Sequence, residues 1–261
     1  MQPDNQIVVV TGAGGGIGRA LAAKFCQAGA KAVVAVDINS AAAQETATLL
    51  GEKCTAMTAD VTREEEVAGV IERTEAEYGP IDLFCSNAGV GAGASEQSAN
   101  HEWQLCWDVN VMAHVYAARH LVPRMLQRGG GYFLNTASAA GLLNQIGGAA
   151  YGVTKHAAVG FAEWLCMTYA HKGIKVSVLC PQAVRTAMTA NSEDTGTQAA
   201  STDGMLEPDE VADIVLEHLE RDAFLILTHP QVRDYMQRKA TDYDRWVSGM
   251  NRLQMRLTGE A

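Results

Sequence analysis

The sequence predicts an α/β protein built on a doubly wound parallel sheet of about seven strands, with helices on both faces and a C-terminal helical extension. Short apolar segments rich in Val, Ile and Leu alternate with segments whose apolar residues recur at three- and four-residue spacing. This alternation is typical of parallel strands joined by right-handed helical crossovers. A glycine-rich turn between the first strand and the first helix favours the same architecture.

The first strand is predicted at Ile7–Val10, and the first helix begins in the turn Thr11-Gly12-Ala13-Gly14-Gly15-Gly16-Ile17-Gly18. Glycine lets backbone N–H groups approach an anion closely, and a helix N-terminus adds unpaired donors and the positive end of its dipole. The turn therefore predicts a site for the pyrophosphate of a dinucleotide. A tight turn without a ligand is the alternative, because such a motif alone is weak evidence.

The second strand, Ala32–Val36, leads into Asp37, nineteen positions after Gly18. An acidic residue about 20 positions on can bind the adenosine ribose. A carboxylate repels a 2′-phosphate, and no Arg or Lys stands at 13–15 or 38–43 to neutralise one. We therefore expect NAD(H) to be preferred over NADP(H).

The other elements follow the same patterns. Helices are predicted at Ser40–Leu50 with Ser40 as N-cap, Glu64–Tyr78, Ala99–Gln127 with a kink or new turn at Pro123, Ala149–His171 and Glu207–Glu220, and strands at Cys54–Thr58, Ile81–Ser86, Gly131–Ala137, Lys175–Cys180 and Phe224–Thr228. Asp60 follows the third strand, where it either hydrogen-bonds the adenine or caps the helix starting near Arg63.

One domain, 1–261, is expected, with a core over 1–229 and a helical tail over 230–261. Ala190–Gly204 is rich in Ser, Thr, Gly and Ala and is predicted to be a mobile lid over the ligand edge of the sheet. The tail reads as an amphipathic helix whose apolar face is covered by its own domain near the lid or by another subunit. A shaping role at the substrate entrance or a subunit interface is the favoured hypothesis.

Composition excludes several classes of partner. The net charge is −10 and Lys and Arg form no block, so we expect neither nucleic acid nor a membrane surface as a partner. No apolar run approaches the ~18 residues of a membrane span, and the first residues lack the features of an export signal. Six scattered cysteines fit reduced thiols in the cytoplasm, and no His spacing predicts a catalytic metal.

Tyr151 and Lys155 are four positions apart in a predicted helix and therefore share a face. An ammonium within about 4–6 Å lowers the pKa of a phenol by about 1–3 units, which makes Tyr151 a competent general acid or base. The pair alone is a common surface pattern. Ser138 at the end of the fifth strand and Asn110 in the preceding helix make the combination far more specific.

With these motifs the sequence resembles the short-chain dehydrogenase/reductase family, of the compact single-domain kind with a Rossmann-type sheet. The resemblance covers roughly Ile7 to Thr228. It rests on Thr11-Gly12-x-x-x-Gly16-x-Gly18, Asp37, Asp60-Val61, Asn87-Ala88-Gly89, Asn110, Ser138, Tyr151-x-x-x-Lys155 and Pro181-x-x-x-x-Thr186.

The resemblance implies a role for each position. Tyr151 would exchange a proton with the substrate, Lys155 would bind the nicotinamide ribose and lower the Tyr151 pKa, Ser138 would hydrogen-bond the reacting oxygen, and Asn110 would hold a water linking Lys155 to solvent. The cofactor would contact Gly12, Gly16, Ile17, Gly18, Asp37, Asp60, Val61, Asn87, Ala88, Gly89, Tyr151, Lys155, Pro181, Val184 and Thr186.

Two departures from the family pattern concern the substrate and the assembly. Gln182 replaces the usual glycine after Pro181, and a tail follows the last strand. The predicted substrate pocket is apolar and includes Ala140, Gln145, Gln182, Met188 and Met205. We expect an oxidoreductase acting on a hydrophobic secondary alcohol or ketone and forming a homo-oligomer, a dimer or tetramer. The alternatives are an NAD-dependent epimerase or dehydratase, and a non-catalytic dinucleotide-binding scaffold or sensor.

Overall fold

The computed structural model describes residues 1–190 and 195–260. Its centre is a seven-stranded, all-parallel sheet in the order β3-β2-β1-β4-β5-β6-β7. The strands are β1 Ile7–Thr11, β2 Ala32–Asp37, β3 Cys54–Thr58, β4 Leu83–Ser86, β5 Gly131–Thr136, β6 Ile174–Cys180 and β7 Leu225–Leu227. The predicted Rossmann-like sheet is confirmed.

Helices cover both faces of the sheet. Those of the core are α1 Gly16–Gln27, α2 Ser40–Leu50, α3 Glu64–Tyr78, α4 Asn100–Trp107, α5 Ala113–Gln127, α6 Ala140–Leu143, α7 Ala149–Tyr169, α8 Thr195–Ala200 and α9 Pro208–Glu220, and those of the tail are α10 Gln231–Thr241 and α11 Tyr243–Thr258. The central strands are buried on both sides, which explains why β1 reads as a continuous apolar run rather than an alternating one. Two apolar clusters result, one on each face.

The order of the strands positions the site. The chain leaves β1 toward α1 and β2 on one side and leaves β4 on the other side, so the sheet reverses its winding between β1 and β4. Ligands of such sheets bind at the carboxyl ends of the strands at this switch point. The glycine turn after β1 and the Asn87 segment after β4 both lie there.

Several local details differ from the sequence predictions. Asn39 rather than Ser40 caps α2, because its side chain accepts a hydrogen bond from the Ala42 N–H at 3.1 Å. The predicted helix over 99–127 contains a π-helical segment, Asp108–Met112, and continues through Pro123. The predicted tail helix is two helices, since the Asp242 side chain accepts from Arg245 N and starts α11.

The lid and the tail lie against each other. Residues 191–194 of the predicted lid lie outside the described residues, and the following part forms α8 and a short 3₁₀ turn, Ser201–Asp203. The Tyr235 hydroxyl on α10 donates to Asp203 Oδ1 at 3.0 Å, and Lys239 Nζ donates to the Leu142 carbonyl at 2.7 Å. The tail therefore contacts its own domain beside the lid. Within the part of the chain that the structure describes, no helix has both the length and the apolarity needed to cross a bilayer.

Candidate active site

The glycine turn after β1 is shaped by contacts that exclude side chains. Gly12 has φ +67°, and a Cβ there would lie 2.9 Å from Ala88 Cα. Gly16 has φ +51° and a Cβ would meet Thr186 Cγ2 at 3.0 Å, whereas at Gly15 a Cβ would meet nothing within 4 Å. The turn therefore packs tightly against Ala88 and Thr186, whereas the space beside Gly15, just before α1, is open. This cradle fits a pyrophosphate at a helix N-terminus.

Asp37 holds the other side of the turn. Its Oδ2 accepts from the Gly14 N–H at 2.8 Å and its Oδ1 from the Asn39 N–H at 2.9 Å. These bonds fix the carboxylate at the end of β2, where an adenosine ribose would lie. The fold also brings Arg19 to this region, a cation that the sequence analysis missed because it considered only positions 13–15 and 38–43. The Arg19 guanidinium donates a hydrogen bond to the Gly14 carbonyl at 2.6 Å and forms a salt bridge with Glu45 Oε2 at 2.8 Å.

Asn87 links three strand ends. Its amide donates to the Thr11 carbonyl at 3.0 Å, and its Oδ1 accepts from Thr136 Oγ1 at 3.2 Å. A Cβ at Gly89 would approach Lys155 Nζ to 3.2 Å. The Asn87-Ala88-Gly89 segment thus runs between the glycine turn and Lys155, where only small residues leave room.

The side chain of Asp60, which was predicted to hydrogen-bond the adenine, is hydrogen-bonded to the neighbouring Thr62. Asp60 Oδ1 accepts from the N–H and the hydroxyl of Thr62, at 2.9 and 2.7 Å. The N-cap position of α3 belongs to Arg63, without a side-chain cap, so Asp60 does not cap this helix. Val61 packs against the apolar cluster beside it. Neither observation tests a contact with adenine.

The segment after β6 lies across the end of the sheet. The Pro181 carbonyl accepts from the Ala139 N–H at 2.7 Å and from Ser138 Oγ at 3.3 Å. Val184 is buried and pairs with Leu206, while Thr186 faces Gly16. Pro181, Val184 and Thr186 therefore connect the Ser138 region with the start of α1.

Asn110 lies in the middle of the π-helical segment and is fully buried. Its Nδ2 donates to the Val90 carbonyl at 3.0 Å and to Thr154 Oγ1 at 3.1 Å, and its Oδ1 accepts from Val90 N at 3.0 Å. Asn110 thus fixes the loop after β4 against α7. π-Helical segments are frequent at functional sites, and the sequence pattern did not predict this one.

Tyr151 and Lys155 share one face of α7, as their spacing predicts. The Lys155 ammonium lies 5.7 Å from the centroid of the Tyr151 ring and donates to the Thr136 carbonyl at 3.1 Å. Lys155 is 2 % exposed, and this burial lowers its pKa to about 8. The pair is brought together with Ser138 at the carboxyl end of β5.

The pKa of Tyr151 differs from the sequence expectation. Burial raises it above its ordinary value, and an interaction with the Ser138 side chain lowers it in part. The lowering of the Tyr151 pKa that was expected from Lys155 is not found. The reason is desolvation, which disfavours the phenolate and cannot be read from the spacing of two residues.

A cavity of about 730 Å³ opens beside Ser138 and Tyr151. Four of the five predicted pocket residues line it, namely Ala140, Gln145, Gln182 and Met188. The tail contributes further lining residues, which are Tyr235, Arg238, Trp246, Met250 and Leu253. Sequence reasoning assigned the tail to this region only as one alternative, because its packing partner depends on the tertiary structure.

Met205 is the predicted pocket residue that the structure places elsewhere. It lines a second cavity, of about 1030 Å³, together with Gly16 and Thr186. Its neighbour Leu206 pairs with Val184 through bonds to Ala183 and Arg185. Because side chains alternate along an extended segment, Met205 points away from the Tyr151 cavity.

Gln182 makes contacts that its position after Pro181 did not predict. Its Nε2 donates to the Ala200 carbonyl and to Asp203 Oδ2, both at 2.9 Å. Asp203 also accepts from Tyr235. Gln182, Asp203 and Tyr235 therefore join the core, the lid and the tail in one hydrogen-bonded set, which we call the lid clasp.

A parallel sheet with this glycine turn, Asp37, and Ser138, Tyr151 and Lys155 at one edge defines a dinucleotide-binding oxidoreductase. The comparisons with known proteins agree. Residues 6–196 match the family model described as short chain dehydrogenase. The chain belongs to the short-chain dehydrogenase/reductase family and is an oxidoreductase acting on CH–OH groups.

Similar proteins include a 1-deoxy-11-beta-hydroxypentalenate dehydrogenase from Streptomyces exfoliatus, 35% identical over 95% of this chain and 92% of that protein. A cyclohexanol dehydrogenase from an Acinetobacter species is 32% identical over 88% of this chain and 94% of its own length. Among solved structures, a short-chain dehydrogenase/reductase from Burkholderia phymatum in complex with NAD superposes with a TM-score of 0.86, at 29% identity, over 94% of this chain and 96% of that one.

No group of three or more His, Cys, Asp and Glu side chains in the described ranges is arranged to hold a metal ion.

Proposed function

We propose that this chain is an NAD(H)-dependent dehydrogenase that interconverts a hydrophobic secondary alcohol and its ketone, with Tyr151 as general acid and base. The observation that carries the proposal is the position of Tyr151 and Ser138 on the wall of a largely apolar cavity, with Lys155 buried behind Tyr151. The names of the relatives, which include a cyclohexanol dehydrogenase, support an alicyclic alcohol as the substrate.

The residues present fit the cofactor. The open position at Gly15, the carboxylate of Asp37 and the small residues Ala88 and Gly89 would hold the pyrophosphate, ribose and nicotinamide portions. When bound, the nicotinamide cofactor supplies or accepts the hydride. The chain must then supply orientation, exclusion of water and proton transfer.

Proton transfer is assigned to the Tyr151 hydroxyl. In ketone reduction it would donate its proton to the developing alkoxide, and its raised pKa keeps it protonated at neutral pH for this role. In alcohol oxidation it must lose that proton, and the Lys155 cation favours the phenolate electrostatically. Ser138 Oγ would donate to the same substrate oxygen, and Asn110 would hold the loop that borders the site.

The preference for NAD(H) rests on Asp37. Its carboxylate is fixed at the end of β2 and would repel a 2′-phosphate, while the charge of Arg19 is compensated by Glu45. Solved neighbours in complex with NAD and with NADH support this choice.

A homo-oligomer is proposed from the exposed apolar surface of α4 and α7. Trp107, Val153, Trp164 and Met167 are between 42% and 75% exposed. Large apolar side chains grouped on helix surfaces mark interfaces.

The decisive experiment is a screen of alicyclic secondary alcohols and their ketones with NAD⁺ or NADH, followed by absorbance of the reduced cofactor. We expect turnover of at least one apolar substrate and a rate lower by about 10²–10⁴ with Tyr151→Phe. Absence of turnover across the panel, with cofactor binding intact, would contradict the proposal.

A further inference from the structure

The cavity beside Tyr151 has two unlike walls. Ser138 and Tyr151 carry the proposed chemistry on one wall, and the C-terminal tail builds another. The volume of about 730 Å³ lies within the range of pockets that bind drug-sized ligands, so a single small ring would leave much of it empty. The tail lines this space with four aromatic or apolar side chains and one cation, which are Tyr235, Trp246, Met250, Leu253 and Arg238.

Arg238 is held beside the aromatic side chains of this wall. Its Cζ lies 5.7 Å from the centroid of the Tyr235 ring, and that ring lies 6.4 Å from the ring of Trp246. The Tyr235 hydroxyl is itself fixed by Asp203 in the lid clasp. A guanidinium packed on an aromatic ring can still donate hydrogen bonds through its edge. Arg238 is exposed, so a ligand that enters the cavity can reach these donors.

The charged side chains that line the cavity differ in their partners. Among the described lining residues they are Glu102, Asp203 and Arg238. Glu102 Oε2 accepts from the Ala99 N–H at 3.0 Å at the start of α4, and both oxygens of Asp203 accept hydrogen bonds in the lid clasp. Arg238 makes neither a salt bridge nor a side-chain hydrogen bond with any residue that the structure describes. Its guanidinium is therefore the charged group available to a ligand.

The unpaired guanidinium favours one kind of ligand. A neutral ligand that fills the cavity as far as the tail would displace water from Arg238 without replacing the lost acceptors, which is unfavourable. A carboxylate offers two acceptor oxygens that match the paired N–H donors of a guanidinium. The anionic side chains of Glu102 and Asp203 disfavour a second anion near them, so Arg238 is the position in this cavity where a carboxylate would bind.

We propose that Arg238 binds a carboxylate of the substrate, and that the substrate is therefore an apolar hydroxy acid, or the corresponding oxo acid, that spans the cavity from Tyr151 to the tail. The assignment rests on the proposed function, since it names the substrate class of the same site. The carboxylate takes no part in the reaction. Its binding away from the reacting carbon orients the alcohol or ketone toward Ser138 and Tyr151.

A binding experiment tests the assignment without turnover. Isothermal titration calorimetry, with and without NADH, compares cyclohexanecarboxylate, adamantane-1-carboxylate and adamantane-1-acetate with their carboxamides. Wild-type protein should bind at least one carboxylate about tenfold or more tighter than its amide, as expected for a charge-assisted hydrogen bond. Arg238→Gln should abolish this preference. Arg238→Lys should keep part of it, because lysine retains the charge but not the paired donors.

Arg233→Gln is the matched control for the charge of the tail. Arg233 is also exposed on α10 but is not among the residues that line the cavity. Its replacement removes the same charge from the same helix, and the preference for carboxylates should remain. An equal loss of preference in Arg233→Gln and Arg238→Gln would show a general effect of charge and overturn the assignment.

Kinetics separates a lost carboxylate contact from a loosened lid clasp. The substrates are 4-oxocyclohexanecarboxylate and 4-oxoadamantane-1-carboxylate, each compared with its methyl ester during reduction by NADH. In Arg238→Gln the KM of the acid should rise by about tenfold or more while the KM of the ester and both kcat values change little. A disturbed clasp would instead raise KM for acid and ester alike, which would contradict direct binding by Arg238.

The outcomes distinguish this inference from the proposed function. Equal affinities of carboxylates and amides in the wild-type protein, or no binding of any carboxylate in the series, overturn the inference. If neutral alcohols or ketones are turned over but acids are not preferred, the proposed function stands and the inference fails. If no alcohol or ketone is turned over, the proposed function fails, and the calorimetric comparison still decides whether Arg238 binds a carboxylate.

Discussion

The Tyr235 hydroxyl of the tail donates to Asp203 Oδ1 at 3.0 Å, while Gln182 of the core donates to the other oxygen of the same carboxylate at 2.9 Å. One side chain of the lid thus holds both the segment that follows the catalytic edge of the sheet and the C-terminal extension. All three residues line the cavity beside Tyr151. The lid clasp therefore connects the tail to the proposed substrate pocket.

Loosening the lid clasp should weaken substrate binding more than chemistry. Tyr235→Phe removes one hydrogen bond, worth about 1.5–3 kcal/mol when it joins a charged group, so KM should rise several-fold or more while kcat changes little. Tyr243→Phe removes an exposed hydroxyl from the same tail and is the matched control. Truncation after His229 should raise KM further. Unchanged KM values in Tyr235→Phe and in the truncated protein would show that the tail does not shape the pocket.

Tyr151→Phe should lower kcat by about 10²–10⁴, because it keeps the ring but removes the transferable proton. Steady-state kinetics measures the loss, and fluorescence titration with NADH should show that the cofactor still binds. Ser138→Ala should give a smaller decrease, since it removes one hydrogen bond to the reacting oxygen and leaves the acid in place. Near-normal turnover by Tyr151→Phe would rule out the assignment.

Asp37→Ser should reduce the preference for NADH over NADPH. The change removes the charge that repels a 2′-phosphate, and the loss of a partly exposed charge interaction corresponds to a change in the kcat/KM ratio of about tenfold or more. The same change weakens the bonds to the Gly14 and Asn39 N–H groups, so kcat/KM with NADH should fall as well. Adding Glu45→Gln leaves the Arg19 charge uncompensated and should favour NADPH further. Comparable use of both cofactors by the wild-type protein would contradict the role of Asp37.

The stability of the fold should depend on pH through Lys155. Its pKa falls from 10.5 to about 8 on folding, so between these values the unfolded chain binds more protons than the folded one. The free energy of unfolding should therefore rise with pH through this window, relative to Lys155→Met, by on the order of 3 kcal/mol. Urea unfolding of both proteins between pH 7.5 and pH 10.5, about the range set by these values, measures the difference. A constant difference would mean that Lys155 is not shifted.

Trp164→Arg should shift the protein to a smaller assembly if α7 forms a subunit interface. Trp164 is 50% exposed and lies beside Phe161, and burying an arginine without a partner in an apolar interface is unfavourable. Light scattering reports the mass. Trp107→Arg on the neighbouring helix α4 is a second test, because Trp107 is similarly exposed and its replacement tells whether the interface extends to α4. An unchanged mass in both variants would place any interface elsewhere.

Local patterns in the sequence by themselves determined the sheet, most of its flanking helices and the edge at which the site lies. Apolar runs and helical spacing predicted the parallel sheet and most element boundaries. They did so because the pattern of apolar residues along each strand and helix reflects which of its faces are buried. The glycines after β1, Asp37, and the four-residue spacing of Tyr151 and Lys155 predicted one edge of the sheet as the site. These features depend on residues close together in the chain or on the shared direction of parallel strands.

The tertiary structure alone decided the features that depend on distant packing. The lid clasp joins residues 182, 203 and 235, and the side chain of Met205 lines a second cavity. The Tyr151 pKa is raised because desolvation sums over every neighbour, whereas the sequence showed only Lys155. Contacts between segments far apart in the chain leave no periodic signal, and burial at one atom is a property of the whole fold.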